Sequence, residues 1–174
     1  MKTSEQMKRP LSKHEEDRLA YLYSEKVERY LDAGYGSCYM KDDRIAEKVA
    51  TALMHFEGQR YNLAAWCVMP NHVHVVVQLF AGITGGTPGP RAMPHGALPD
   101  ILHSWKSFTA KEANKLLARS GDFWQAEYYD QLIRNEADFR HAVKYVLDNP
   151  IKAGLKNWKW VAVTECGTRI LRVR

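Results

Sequence analysis

Two histidines separated by one valine, His72 and His74, are the residues of this sequence best placed to do metal chemistry. In an extended strand alternate side chains share a face, so both imidazoles project to one side. Val73, Val75 and Val77 then point the other way, into a core. Two neutral imidazoles this close can chelate one divalent ion and leave coordination positions open for substrate. A bare H-x-H pattern is common, and alone it fits packed or surface histidines better than a metal site. Met69-Pro70-Asn71 before the pair and the valine run after it sharpen the reading. They place the histidines at the start of a central strand, beside a turn that substrate can reach.

A second constellation lies further along. Asp138, His141, Tyr145 and Asn149 recur at spacings of three and four. On a helix that makes a polar stripe beside a buried one of Phe139, Val143, Val146 and Leu147. Tyr145 and Asn149 stack one turn apart, so a phenol lies next to an amide oxygen able to ligate a metal. Spacing alone favours a plainer reading: a half-buried tyrosine and an asparagine that ends the helix, because Pro150 restricts the residue before it.

The elements that must position these groups follow from periodicity. A capping box of Ser12 and Glu15 predicts a first helix over Lys13–Ala33, with Leu19, Leu22, Tyr23, Val27, Tyr30 and Leu31 at helical spacing and Gly34 as its stop. A second helix is expected over Asp43–Glu57, with Ile45, Val49, Leu53 and Phe56 inward and Gly58 ending it. Tyr61–Val68 and His72–Leu79 are β-branched and aromatic, and read as two strands joined by a tight turn. Residues 81–99 hold five Gly and four Pro and predict a long mobile loop. A third helix is expected over Asp100–Ala118, carrying Ile101, Trp105, Phe108, Leu116 and Leu117. Phe123–Ile133 reads as a strand with its approach, Asn135 as the cap of a fourth helix ending near Asn149, and Trp158 to Val161 as the start of a last short strand. Helices and strands mix without a βαβ repeat, which predicts an α+β fold with helices packed on an antiparallel sheet.

The 174 residues suit one domain with a core of its own. Nothing approaches the roughly 18 apolar residues of a membrane span, and residues 1–10 carry no apolar signal segment, so no membrane association and a cytoplasmic location are expected. Cys38, Cys67 and Cys166 are far apart and form no C-x-x-C pair, which predicts reduced structural cysteines. A net charge of +5 is compatible with an anionic partner.

Four segments then carry a resemblance. M-P-N-H-V-H-V-V-V at 69–77, S-W-K-S-F-T-A-K at 104–111, W-Q-A-E-Y-Y-D-Q-L-I-R at 124–134 and Y-V-L-D-N-P-I-K-A-G-L at 145–155 stand in that order. Together they resemble the REP-associated tyrosine transposases, bacterial single-tyrosine nucleases of the histidine–hydrophobe–histidine (HUH) class. The likeness covers roughly residues 35–160 and implies the ferredoxin-like or RRM-like fold of HUH nucleases. It implies a divalent metal, Mg2+ or Mn2+, held by His72, His74 and Asn149, with Tyr145 as nucleophile. It also implies cleavage of single-stranded DNA beside hairpins of the repetitive-extragenic-palindrome kind, through a covalent 5′-phosphotyrosine. A phenol with pKa near ~10 needs help to ionise; His141, one turn before Tyr145, is a candidate acceptor, although a solvent-facing histidine is the plainer reading. Within the matched segments Lys106, Lys111, Arg134 and Lys152, together with Lys115 nearby, are candidates for phosphate contacts. Tyr128 and Tyr129 are candidates for base stacking, as is Trp124, for which core packing is an equal reading.

The sequence also departs from that family. Members begin with a strand of the central sheet, and none is legible here; the segment beyond Trp160 diverges into a basic tail over 156–174. The whole reads as one HUH domain over 1–174, with an N-terminal helix over 1–34. These departures keep a second reading open, a truncated or domesticated relative that grips DNA hairpins without cutting. A third is an unrelated metal-binding protein using H-V-H alone, for which Tyr145 and Asn149 would lie far from the histidines. Some members act as homodimers that exchange the tyrosine helix and others as monomers.

Overall fold

The computed structural model describes Ser12, residues 26–27, 29–80, 97–164 and 170–171. Helix α1 (Asp43–Met54) starts where Asp42, in extended backbone, accepts a hydrogen bond from the Arg44 backbone N–H. It buries Ile45, Ala46, Val49, Ala50 and Leu53. Strands β1 (Tyr61–Val68) and β2 (Val73–Leu79) pair antiparallel. Their connection closes by a bond from the Met69 N–H to the His72 carbonyl, 2.8 Å. Helix α2 (Ala97–Leu116) and helix α3 (Glu136–Lys152) follow, then β3 (Val161–Thr164) and the two-residue β4 (Ile170–Leu171). β3 pairs antiparallel with the other side of β1, giving the strand order β2-β1-β3-β4. The fold is α+β, helices on an antiparallel sheet.

The two faces of the sheet carry different layers. Leu63, Trp66, Val68, Val73, Val75 and Val77 face α1 and α2. There the Tyr61 hydroxyl donates to the Leu53 carbonyl and accepts from the Trp105 indole N–H. Ala65, Cys67, Met69 and Val76 face α3, whose Val143, Val146 and Leu147 cover them. A bulge between Leu63 and Ala65 inserts one residue in β1, so the period of two restarts there and Cys67 comes opposite His74.

Several expectations are met closely. The boundaries of β1 agree, β2 starts one residue later, and Val73, Val75 and Val77 face the core as expected. The first expected helix is described only near its end, where residues 29–32 are helical and Gly34 takes a φ of +82°. The Gly34 N–H donates to Leu31 and the Tyr35 N–H to Tyr30, a Schellman closure. Residues 13–25 and 81–96, and with them most of the first helix and of the Gly/Pro loop, lie outside the described residues, as does Cys166. Cys38 and Cys67 are free thiols.

Other expectations are corrected. Phe123–Ile133 forms no strand. β1 is already paired on both sides, and the carbonyls of Gln125, Ala126 and Glu127 are instead taken by the Lys106 ammonium at 2.8–3.3 Å. α3 does not stop at Asn149 but runs through Pro150 to Lys152, closing with a bond from the Leu155 N–H to the Pro150 carbonyl and with Gly154 at φ +72°. A proline restricts its predecessor only statistically, and burial of Val146, Asn149 and Pro150 outweighs that bias. The second helix ends at Met54 rather than Glu57, and 97–99 belong to α2 rather than to the loop. Phe108 and Phe139, expected inward, are 48% and 36% exposed. Tyr30, also expected inward, stacks in the open on Tyr35. Finally, β2 is an edge strand among the described residues, not a central one.

Candidate metal and tyrosine site

The site is built around one amide. Asn71 follows Pro70 in the turn before β2, and its Nδ2 donates to the carbonyls of Leu31 and Tyr35 at 2.8 and 2.7 Å. Carbonyls only accept, so the amide orientation is settled and Oδ1 must face the other way. There it meets His72 Nδ1 at 2.8 Å, which therefore carries the proton. The lone pair of His72 is left on Nε2, directed at His74 Nε2, 2.8 Å away. Burial pushes the pKa of His72 down to about 4 and that of His74 to about 3, with His72 adding a smaller repulsive effect on His74. Both rings are neutral at pH 7, the form that ligates metals.

A carboxylate completes the cluster. Asp32, in the last helical turn before Gly34, sets Oδ1 3.4 Å from His72 Nε2. Because His72 is neutral, this contact is not an ion pair. Burial raises the Asp32 pKa, and the positive charge of Lys152 partly offsets that. Donor atoms of Asp32, His72 and His74 all lie within 4.8 Å of one another.

Tyr145 stands beside the pair. Its ring meets His74 edge-on with centroids 5.3 Å apart. Lys152, two turns on along the same face of α3, holds its ammonium 5.1 Å from the centre of the Tyr145 ring. Asn149 is 1% exposed, and its Nδ2 has no hydrogen-bond partner among the described residues. An amide nitrogen donates and does not ligate, so the cation-binding chemistry on view is that of two neutral imidazoles beside the carboxylate of Asp32, the mixed N and O donor set a divalent cation takes. The residues present fit such an ion. Tyr145 thus lies close to His74, where an unrelated H-V-H protein was expected to keep Tyr145 and Asn149 far from the histidines.

The other sequence candidates scatter. His141 is exposed on α3, one turn before Tyr145. Lys111 and Lys115 are exposed on α2, which packs on the face of the sheet opposite α3. The Lys106 ammonium is engaged by backbone carbonyls and lies 5.8 Å from the Tyr128 ring centre. Tyr128 and Tyr129 are largely exposed, as is Arg134, while Trp124 is half-buried and donates to Thr109 Oγ1. Asp32 is the residue that sequence reasoning missed. It is 40 positions from His72, on a helix read only for its apolar face, and nothing local marks it. Asn71 stood inside a quoted motif, but its bonds to Leu31 and Tyr35 are long-range and leave no periodic trace.

Among the described residues no helix is long and apolar enough to cross a membrane. No family model matches the chain, and no solved structure does. Among curated proteins it is similar to a REP-associated tyrosine transposase of Escherichia coli strain K12, 27% identical over 94 residues, 54% of this chain and 47% of that protein. It is similar also to a putative REP-associated tyrosine transposase of Haemophilus influenzae, 25% identical over 116 residues and 60% of each chain. An uncharacterised protein of the same organism is 27% identical over 93 residues, 48% of this chain and 51% of that protein. The chain spans about half the length of the curated relatives it matches. The chain that carries the histidine pair and the tyrosine helix is thus similar, over roughly half its length, to REP-associated tyrosine transposases.

Proposed function

We propose that this chain cuts and rejoins single-stranded DNA beside hairpins, with Tyr145 as the nucleophile. The observation that carries the reading is the 5.3 Å approach of the Tyr145 ring to His74, which brings α3 and β2 to one reacting centre. His72 and His74, with Asn149 one turn beyond Tyr145, are the ligands for Mg2+ or Mn2+. A cation held there polarises the scissile phosphate and offsets charge on its oxygens. The Tyr145 oxygen forms a bond to phosphorus as the bond from phosphorus to the 3′ oxygen breaks. The phenol gives up its proton and the 3′ oxygen gains one. One phosphodiester is exchanged for another, so the reverse attack rejoins the strand. Lys152, with its ammonium over the Tyr145 ring, is placed to meet the phosphate that Tyr145 attacks. Tyr145 stands at the histidines of its own chain, an arrangement that works in a monomer and does not forbid a homodimer.

The test is a covalent trap. Protein, Mn2+ and a labelled single strand carrying a palindromic hairpin are incubated and run on a denaturing gel. A labelled protein band is expected for wild type and none for Tyr145→Phe. Equal bands from both would remove Tyr145 from the chemistry. Hairpin binding by wild type without any band would favour the non-cutting relative.

A further inference from the structure

We infer that Asp32 is an anionic ligand of the same cation, and that it is what suits the site to a hard ion such as Mg2+ or Mn2+. The inference rests on the metal reading of His72 and His74. Two neutral imidazoles and a carboxamide bring no negative charge, and imidazole alone favours softer ions such as Ni2+ or Zn2+. Hard cations want oxygen donors, carboxylates above all.

The geometry meets that requirement. Donors bound at right angles to one ion at ~2.1 Å lie about 3.0 Å apart. The two Nε2 atoms are 2.8 Å apart, and Asp32 Oδ1 is 3.4 Å from the nearer of them. Two of the three separations thus suit neighbouring donors on one ion, and all three donor atoms lie within 4.8 Å of one another. Oδ1 is buried and no hydrogen-bond donor among the described residues satisfies it, an expensive arrangement unless a cation does. The carboxylate also sits at the C-terminal end of a helix, where the aligned carbonyls favour positive charge. That helix end is pinned by Asn71, the same residue that orients His72. One amide therefore sets two ligands from segments 40 residues apart. With a divalent ion, Asp32 leaves the centre at a net charge near +1, still attractive to a phosphate.

The experiment measures metal binding, not cleavage. EDTA-treated wild type, Asp32→Asn and His72→Ala are titrated with Mn2+, followed by loss of the free-ion EPR signal, and with Ni2+ by calorimetry. The expected result is Mn2+ affinity reduced about tenfold or more in Asp32→Asn, with Ni2+ affinity reduced less, while His72→Ala weakens both ions. Asp32→Asn within about threefold of wild type for Mn2+, while His72→Ala loses it, overturns the role of Asp32 and leaves the metal reading standing. A folded wild type that takes up no Mn2+ overturns both. Circular dichroism checks that each variant folds. A Mn2+-soaked crystal of wild type tests the point without a variant: Asp32 Oδ1 at about 2.0–2.3 Å from the ion supports it, and a separation beyond about 3.5 Å overturns it.

Discussion

Asn71 has two separable duties, and separating them tests the account of the site. Its Nδ2 ties down the end of the N-terminal helix through Leu31 and Tyr35, and its Oδ1 holds the His72 tautomer. Asn71→Ala deletes all three hydrogen bonds. Each is worth about 0.5–1.5 kcal/mol net, with the exposed bond to Tyr35 at the low end, so about 2 kcal/mol of stability should go. For a domain of this size that lowers Tm by about 4–8 °C. Loss of the partner that orients a metal-binding histidine should also weaken Mn2+ about tenfold or more. Asn71→Asp breaks the two duties apart. A carboxylate still accepts from His72 Nδ1 but cannot donate to the two carbonyls. It should therefore lose about as much Tm as Asn71→Ala while keeping Mn2+ affinity close to wild type. Scanning calorimetry in EDTA and Mn2+ titration of the three proteins read the two effects. Two results would refute the reasoning: an Asn71→Ala protein melting within about 1 °C of wild type, or an Asn71→Asp protein as poor in Mn2+ as Asn71→Ala.

Two further predictions follow from the same geometry. Burial lowers His72 and His74 to about 4 and about 3 from 6.5, so as pH falls the unfolded chain takes up protons first. Stability is then fully present above about pH 6.5 and is lost as pH falls toward the folded values. In EDTA, Tm should drop more steeply from about pH 7 to 5 in wild type than in His74→Ala, and equal slopes would sink this reading. Lys106, whose ammonium holds the carbonyls of 125–127, should matter to that segment before it matters to DNA. Lys106→Met is expected to cost about 1 kcal/mol and to speed limited proteolysis within 123–134; unchanged proteolysis with weakened DNA binding would return Lys106 to the phosphate contacts.

Some of this was readable because it is periodic. The alternation over 61–68 and 73–79 specifies which way each side chain points, so the shared face of His72 and His74 and the core valines behind them follow from spacing. The four-residue step from Tyr145 to Asn149 likewise puts both on one side of α3. What periodicity could not supply was competition between segments. Phe123–Ile133 has strand composition, yet β1 is paired on both sides and Lys106 takes three of the carbonyls a ladder would have used. Pro150 has the sequence signature of a helix end, but packing of Val146 on the sheet and burial of Asn149 and Pro150 carry α3 past it. Phe108 and Phe139 fall on apolar stripes, yet no layer among the described residues covers them.

By itself, then, the sequence determined the class of fold, the hairpin that bears the histidines, and the helix that bears Tyr145, since each depends on local pattern and chain stiffness. It also pointed to the family, through four short motifs. Only the tertiary structure decided that Tyr145 meets His74, that Asp32 joins the pair, and that Asn71 holds both His72 and the helix end carrying Asp32. Those contacts join residues that are dozens of positions apart, and their cost is the entropy of closing long loops, repaid by burial across the whole sheet. No local pattern encodes that balance; it exists only once both faces of the sheet are covered.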